Sequence, residues 1–469
     1  MGYVVDHKCF IVVCCMKIVY SLLFFIGSIA SVGAQSSAEE PTSFSLKEAI
    51  DYCMNNSFTV KNSLLQRNMT AAKKGEVRSL LLPQVSGNAD FNHFFQVQKN
   101  ILEGGIGFMT SAAPGTVVPL QLSLPNQLLP SLSASQVLFD MAYFSGYKAA
   151  NASEVIADQT IRKSRIDMTV NVTKAYYGVL VNEKQLKAIH KNLERMDSLY
   201  QETVARYETG LARRIDVSRM EVSLNNMREE REKTIRAVEL SRSILRYQMN
   251  LPESNPMILT DSLSEDVLAE VEQILSARQK VNYSNRIEYS ILESQKRLSQ
   301  IDRQVARAGH YPRLYAVAST GFTPSATKIE NLTQSSRWHQ YSSVGLRLQV
   351  PIFSGFGVHY KVQQKKIEEE IIDNNKVALE KGINLEVDQA LINLENSMQS
   401  LKIQKRNLDL AEENLQVLRA EYEQGIALNI EVTTAEAALI DAQTNYYHAL
   451  FGALISKADY DKAVGNIVK

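Results

Sequence analysis

Tyr207-Glu208-Thr209-Gly210-Leu211-Ala212-Arg213-Arg214-Ile215-Asp216-Val217 returns as Tyr422-Glu423-Gln424-Gly425-Ile426-Ala427-Leu428-Asn429-Ile430-Glu431-Val432. The offset is 215 residues, and from Val172 it holds without a gap for more than forty positions. Val172, Ala175, Leu186, Leu193, Val217 and Glu221 return as Val387, Ala390, Leu401, Leu408, Val432 and Glu436. The chain is therefore two copies of one unit, and every other feature has to be read against that repeat.

Each copy carries a long heptad. Val172, Val179, Leu186, Leu193, Tyr200 and Tyr207 stand seven apart, with Ala175, Ile189 and Met196 on the interleaved row. Val387, Leu394, Leu401, Leu408, Leu415 and Tyr422 do the same, with Ala390, Ala411 and Leu418 between them. A strict seven-residue repeat implies helices wound in a left-handed supercoil. From about residue 149 to Tyr207 the helix would run roughly 85 Å at 1.5 Å per residue, too long for the core of a compact domain. Gly210 and Gly425 break these rods, since a left-handed backbone is cheap only for glycine. Helical periodicity then resumes, through Val217, Met220, Leu224 and Met227, and through Val432, Ala435, Leu439 and Ala442. Each copy is a helical hairpin, with its tip at 208–214 or 423–429.

At the other ends of the copies, Pro83 and Pro312 close the preceding helices. Period-two segments follow, at about 84–97 and 128–139 in the first copy and about 313–323 and 342–350 in the second. The clearest is Val344, Leu346, Leu348 and Val350, alternating with Ser343, Gly345, Arg347 and Gln349. Apolar-out, polar-in segments of about ten residues fit membrane barrel strands. Phe94, Phe95, Trp338 and Tyr341 fall near strand ends, where an aromatic girdle sits. Loops 98–126 and 324–336 close each strand pair. Strand returns to helix through Val137-Leu138-Phe139-Asp140 and through Val350-Pro351-Ile352-Phe353-Ser354-Gly355.

The N-terminus explains how such strands reach a membrane. Lys17, the apolar run Ile18 to Ala30 and the small residues Ser31-Val32-Gly33-Ala34 read as a signal peptide over 1–34, cleaved after Ala34, with Met16 a candidate start. Val13 precedes Cys14, so no lipid anchor is expected. Cys9, Cys14 and Cys15 leave with the leader, and the mature chain keeps one thiol, Cys53, and no internal disulfide. Lys plus Arg and Asp plus Glu both total 51, a balance that argues against a nucleic-acid partner. No later segment has the roughly 20 apolar residues of a spanning helix.

Four strands per chain cannot close a barrel, and lipid tolerates no open sheet edge. The barrel must be shared between chains, and periodicity alone does not choose among two, three or four.

The order helix, proline, strand pair, Phe-Ser-Gly-type turn and long hairpin with Tyr-x-x-Gly, run through twice, resembles the TolC-type outer membrane efflux protein family. Ser45-Leu46-Lys47-Glu48-Ala49-Ile50 resembles that family's opening motif. The resemblance implies an α+β membrane protein in which each of two tandem repeats gives a pair of transmembrane β-strands and a coiled-coil hairpin. Three copies would form a twelve-stranded β-barrel in outer-membrane lipid, continued by a periplasmic α-helical tunnel. It further implies an exit channel of a tripartite efflux or type I secretion system, partnered by a periplasmic adaptor and an inner-membrane pump of RND, ABC or similar type. On this reading the first repeat spans 35–250, an equatorial segment packed around the tunnel 251–285, the second repeat 286–455 and a tail 456–469.

A duct performs no bond chemistry, and its functional residues belong where the path narrows. Asp216 and Glu431 stand six residues past the tip glycines. Both suit the first turn of a helix, favoured by its dipole, and both would form carboxylate rings on a symmetry axis. The family's two acidic entrance positions map onto Glu431 and Thr434, so one carboxylate is kept and one is replaced by a hydroxyl. Its entrance lock maps onto Asp216 and Tyr422, while the arginine position is Ala427. Arg213 and Arg214 are the nearby substitutes. Gly210-Leu211 and Gly425-Ile426 resemble the adaptor-contact tips.

Two other function classes are weaker. The histidines at 7, 93, 190, 310, 339, 359 and 448 show no metal-ligand spacing. Gly104-Gly105-Ile106-Gly107 lacks the helix a phosphate loop needs, and Ser145-Gly146-Tyr147-Lys148 is a pattern chance supplies. No enzyme activity, metal or cofactor is expected. A periplasmic coiled-coil scaffold without a pore would explain the heptads but not the strands paired at matching places in both copies.

Overall fold

The computed structural model describes residues 43–103, 113, 116–121, 123–252, 255, 257–262 and 282–467. The expected leader, with Met16, Cys9, Cys14 and Cys15, lies outside them, as do Gly104-Gly105-Ile106-Gly107 and much of the segment 251–285. Strand β1 (Ser43–Phe44) leads into helix α1 (Leu46–Asn56). Ser45 caps it: its Oγ accepts from Glu48 N at 3.3 Å, and the Glu48 carboxylate accepts from Ser45 N at 2.8 Å, a reciprocal capping box. Next come α2 (Phe58–Ser79), β2 (Gln84–His93), the paired β3 (Asn100–Glu103) and β4 (Val117–Leu120), and β5 (Asn126–Asp140). The first hairpin is α3 (Met141–Glu208) and α4 (Arg214–Met249), followed by β6 (Ile258–Leu259). The second copy runs α5 (Ile287–Arg307), β7 (Arg313–Phe322), β8 (Ser325–Ala326), β9 (Gln340–Gln349), α6 (Gly357–Glu423) and α7 (Asn429–Val464).

The repeat extends further than the sequence pattern suggests. Both α4 and α7 have 36 residues, start and stop at the same offset, and end on left-handed caps, Asn250 (φ 57°) and Gly465 (φ 78°). Helix α7 thus passes the expected boundary at 455, because Ala458, Tyr460 and Ala463 keep its inner face buried. At 68 residues, α3 is about 100 Å long. The helices form a wall in the order α4, α3, α7, α6, and nearer the sheet in the order α2, α3, α5, α6. Among the described residues no helix is long and apolar enough to cross a membrane.

Between the two halves, β1 pairs in parallel with β6 over a core of Phe44, Ala49, Cys53, Val172, Tyr176, Leu245 and Met249. Leu251 and Met257 join that core, while Pro252, Ile258 and Asp261 beside them are exposed. Burial pushes the Cys53 thiol up to about 11.

The sheet is antiparallel in the order β2-β5-β7-β9. Its register sorts the side chains, because residues directly opposite one another share a face. One row across all four strands is Val85, Ala134, Ala318 and Val344, and the next is Ser86, Ser133, Ser319 and Ser343. The serines bond in pairs, Ser86 Oγ to Ser133 Oγ at 2.9 Å and Ser319 Oγ to Ser343 Oγ at 2.8 Å. One face of the sheet is apolar and the other polar. Every residue of the two outer strands, β2 and β9, is exposed.

Aromatic residues mark both ends of the strands. Phe95 and the Phe322–Trp338 pair lie at one end, and Phe139–Phe144 and Phe353–Phe356 at the other. Strand β2 stops at His93, short of the expected 97, opposite Asn126, because the next residue of the partner strand is Pro125, which has no N–H to return to the ladder. Strand β5 begins two residues before the expected 128, through this same pairing.

Candidate functional site

The two tips are built alike. Gly210 (φ 78°) and Gly425 (φ 76°) take the left-handed conformation that ends each rod. Leu211 N donates to Arg206 O, and Ile426 N to Glu421 O, both at 2.8 Å. These are the wrap-around bonds of a glycine-terminated helix. They turn the next side chain outward, and Leu211 and Ile426 are 81% and 69% exposed.

Asp216 and Glu431 also play matching roles. The Asp216 carboxylate accepts from Arg213 N at 3.2 Å, and that of Glu431 accepts from Leu428 N at 2.7 Å. Each carboxylate satisfies a backbone donor at the start of a helix and lies at its positive end. Asp216 is buried and pairs with Arg213 Nε at 3.3 Å and Arg219 Nη1 at 3.9 Å, whereas Glu431 is exposed. Thr434 is exposed one turn further on, with its hydroxyl donating to Ile430 O at 2.7 Å. Arg214 is exposed.

Tyr422 lies elsewhere in the tip. It is buried, the Arg206 guanidinium sits 4.3 Å from its ring centre, and Arg206 Nη2 donates to its carbonyl at 3.3 Å. Its hydroxyl accepts from Asn429 Nδ2 at 3.4 Å, an amide that also reaches Thr203 Oγ1 at 3.0 Å. Within one chain, then, the structure does not bring Asp216 and Tyr422 together. Each is occupied by its own neighbours, and Arg206, Thr203 and Asn429 tie the tip of the second hairpin to the first.

Higher in the wall is a contact the repeat hid. Glu436 is 0% exposed on α7, and Arg195 of α3 chelates it, Nε at 2.7 Å and 2.9 Å from its two oxygens and Nη2 at 2.8 Å. Arg195 Nη2 also donates to Asn192 Oδ1 at 2.9 Å, and Asn192 Nδ2 to Gln443 Oε1 at 2.6 Å. A carboxylate standing among Val432, Ala435 and Leu439 was the signal in the sequence. A charge on an apolar helix face requires a buried partner. Among the described residues no group of three or more His, Cys, Asp or Glu could hold a metal.

This arrangement, a sheet continued by a wall of paired rods that end in bare tips, has the shape of a guide for a solute. The model of the outer membrane efflux protein family matches residues 49–242 and 284–466. The outer membrane protein TolC of Salmonella enteritidis is 22% identical over 425 residues, 87% of this chain and 79% of that protein. The alkaline protease secretion protein AprF of Pseudomonas aeruginosa is 24% identical over 342 residues, 72% of this chain and 67% of that protein. The crystal structure of the Campylobacter jejuni CmeC outer membrane channel shares the fold, with a TM-score of 0.66 at 15% identity over 90% of this chain and 86% of that one. By sequence and by fold the chain belongs to the outer membrane efflux protein family, and it is an outer-membrane exit channel whose helical tunnel lies in the periplasm.

Proposed function

We propose that three copies close into a twelve-stranded barrel and a single tunnel that ends at a gated entrance formed by the hairpin tips. The observation that carries this reading is the sheet, with its apolar face, its polar face and two fully exposed outer strands. Ten residues per strand span about 33 Å, enough for a tilted strand to cross an apolar band of about 25 Å. An edge strand left open in lipid would strand its peptide groups without partners, so β9 of one copy pairs with β2 of the next. On this reading the chain acts as a channel and not as an enzyme.

At the entrance, Glu431 gives each copy one exposed carboxylate near the axis, with Thr434 as a neutral neighbour and Asp216 as a second carboxylate held back by Arg213. Asp216, Tyr422, Arg213 and Arg214 form the lock between neighbouring hairpins. The exposed Leu211 and Ile426, each following its tip glycine, Gly210 or Gly425, form the contact with a periplasmic adaptor, through which an inner-membrane pump delivers cargo. Native mass measurement of the detergent-extracted protein tests the assembly. A trimer is expected, and a monomer that stays monomeric in bilayer-mimicking detergent contradicts the shared barrel.

A further inference from the structure

Where α5 ends and α6 begins, just beyond the sheet, a concavity of about 380 Å³ is lined by Arg307, His310, Tyr311, His359 and Val362. Gly309 makes this junction tight. A Cβ there would meet Val358 at 2.9 Å, so bare backbone lets the turn after α5 lie on the start of α6. That close approach sets His310 and Tyr311 beside His359. Arg307, His310, Tyr311 and His359 are all exposed. Among the described residues, none of these side chains makes a hydrogen bond or an ion pair, and no acidic side chain lines the concavity.

Basic residues nearby are differently placed. Arg303 pairs with Glu369 at 3.1 Å, Lys365 with Glu368 at 2.8 Å and Arg313 with Asp140 at 3.6 Å. Helices α4 and α7 open on Asp216 and Glu431, whereas α6 opens with His359 in its first turn and no acidic residue there. A cluster of free N–H and O–H donors with no carboxylate among them suits an anion.

We propose that this concavity binds the phosphate of an anionic phospholipid in the periplasmic leaflet of the membrane. The Arg307 guanidinium presents paired N–H groups that match two phosphate oxygens. His310, His359 and Tyr311 each supply a further donor. Position selects a lipid over free phosphate. Strand β7 begins at Arg313, directly after Tyr311-Pro312, and β9 ends at Gln349. Between β9 and α6, Ile352 and Phe353 are 96% and 77% exposed, and Phe356 is exposed beside Phe353. Exposed apolar and aromatic side chains at a strand end belong at the membrane interface. Basic groups immediately beyond them lie at the depth of the headgroup phosphates. This inference rests on the reading that the sheet's apolar face meets lipid.

The test places the purified protein in phosphatidylcholine nanodiscs with and without phosphatidylglycerol, and reads diethyl pyrocarbonate labelling of each histidine by mass spectrometry. Phosphatidylglycerol is expected to slow labelling of His310 and His359 at least about threefold. His339, exposed at the other end of the strands, should be unaffected. Equal slowing at His339 would reduce the effect to general surface charge and overturn the site, as would no slowing at all. Inorganic phosphate that protects the two histidines as well as the lipid does would make free phosphate the ligand and overturn the lipid. Protein that does not enter nanodiscs removes the barrel reading and this inference with it. A second measurement titrates phosphatidylglycerol into the detergent-extracted protein and reads bound lipid by native mass. Arg307→Ala combined with His359→Ala should lower the affinity about tenfold. Arg297→Ala, an exposed arginine elsewhere on α5, should not. Equal lipid binding by wild type and both variants overturns the proposal.

Discussion

The hairpin α3–α4 and the hairpin α6–α7 share helix ends, tip glycines and left-handed caps, yet they bury different residues. On α6 the whole heptad row, Val387, Leu394, Leu401, Leu408, Leu415 and Tyr422, is buried. On α3 only Val172 and Val179 of the matching row are buried, Tyr207 is 44% exposed, and burial has spread to Asn192, Met196, Leu199 and Thr203. The cause is position in the wall. Helix α3 packs between two neighbours, α4 and α7, while along the same stretch α6 packs mainly against α7 and meets α3 at Tyr422. Duplication supplied one backbone twice, and the second neighbour decided which side chains became interior. Glu436 and Glu221 make the point within a single pair of counterparts, one wholly buried and paired, the other exposed.

The sharpest way to break this comparison is Arg195→Leu, which copies the residue found at the matching position of α6, Leu410. It leaves the Glu436 carboxylate buried without its partner and should cost about 3–5 kcal/mol, read as faster hydrogen exchange along α7. Glu221→Ala should stay within about 0.5 kcal/mol, and equal effects at the two sites would erase the distinction. Gly210→Ala and Gly425→Ala force a Cβ into left-handed backbone and should each cost about 1–2 kcal/mol in thermal unfolding. The two losses should match, and a large difference would show that the tips are not equivalent. Asp216→Ala removes the acceptor for Arg213 N and should cost about 1 kcal/mol. The smallest effect belongs to Arg206→Ala. Losing its contact with Tyr422 should cost about 0.5–1 kcal/mol and raise protease cutting at the second tip more than at the first.

Most of this fold was legible because its signals are periodic and doubled. The heptads, the tip glycines and Val344-x-Leu346-x-Leu348 each appear in a pattern that one misplaced residue does not disturb. Strand ends were less legible, since β2 ends where its partner strand reaches Pro125 and not at anything in its own sequence. The extent of α7 was hidden by its small residues. Ala453, Ala458 and Ala463 are buried but carry little hydrophobic contrast. At the tips, the positions of Asp216, Glu431 and Tyr422 could be read from the repeat, but their partners could not. Arg206 and Asn429 meet Tyr422 only because two hairpins that are remote in sequence lie side by side. Arg195 and Glu436 are 241 residues apart and belong to non-matching places in the two copies, so comparing the copies pointed away from the pair.

The central claim is a duct that narrows at the hairpin tips, and single-channel conductance of the purified mature protein in planar bilayers tests it most directly, with wild type set against Glu431→Ala. The account predicts stable small pores in both, with divalent cations blocking the variant more weakly than the wild type. Trimeric, bilayer-competent protein that opens no pores, in the wild type or the variant, would contradict it.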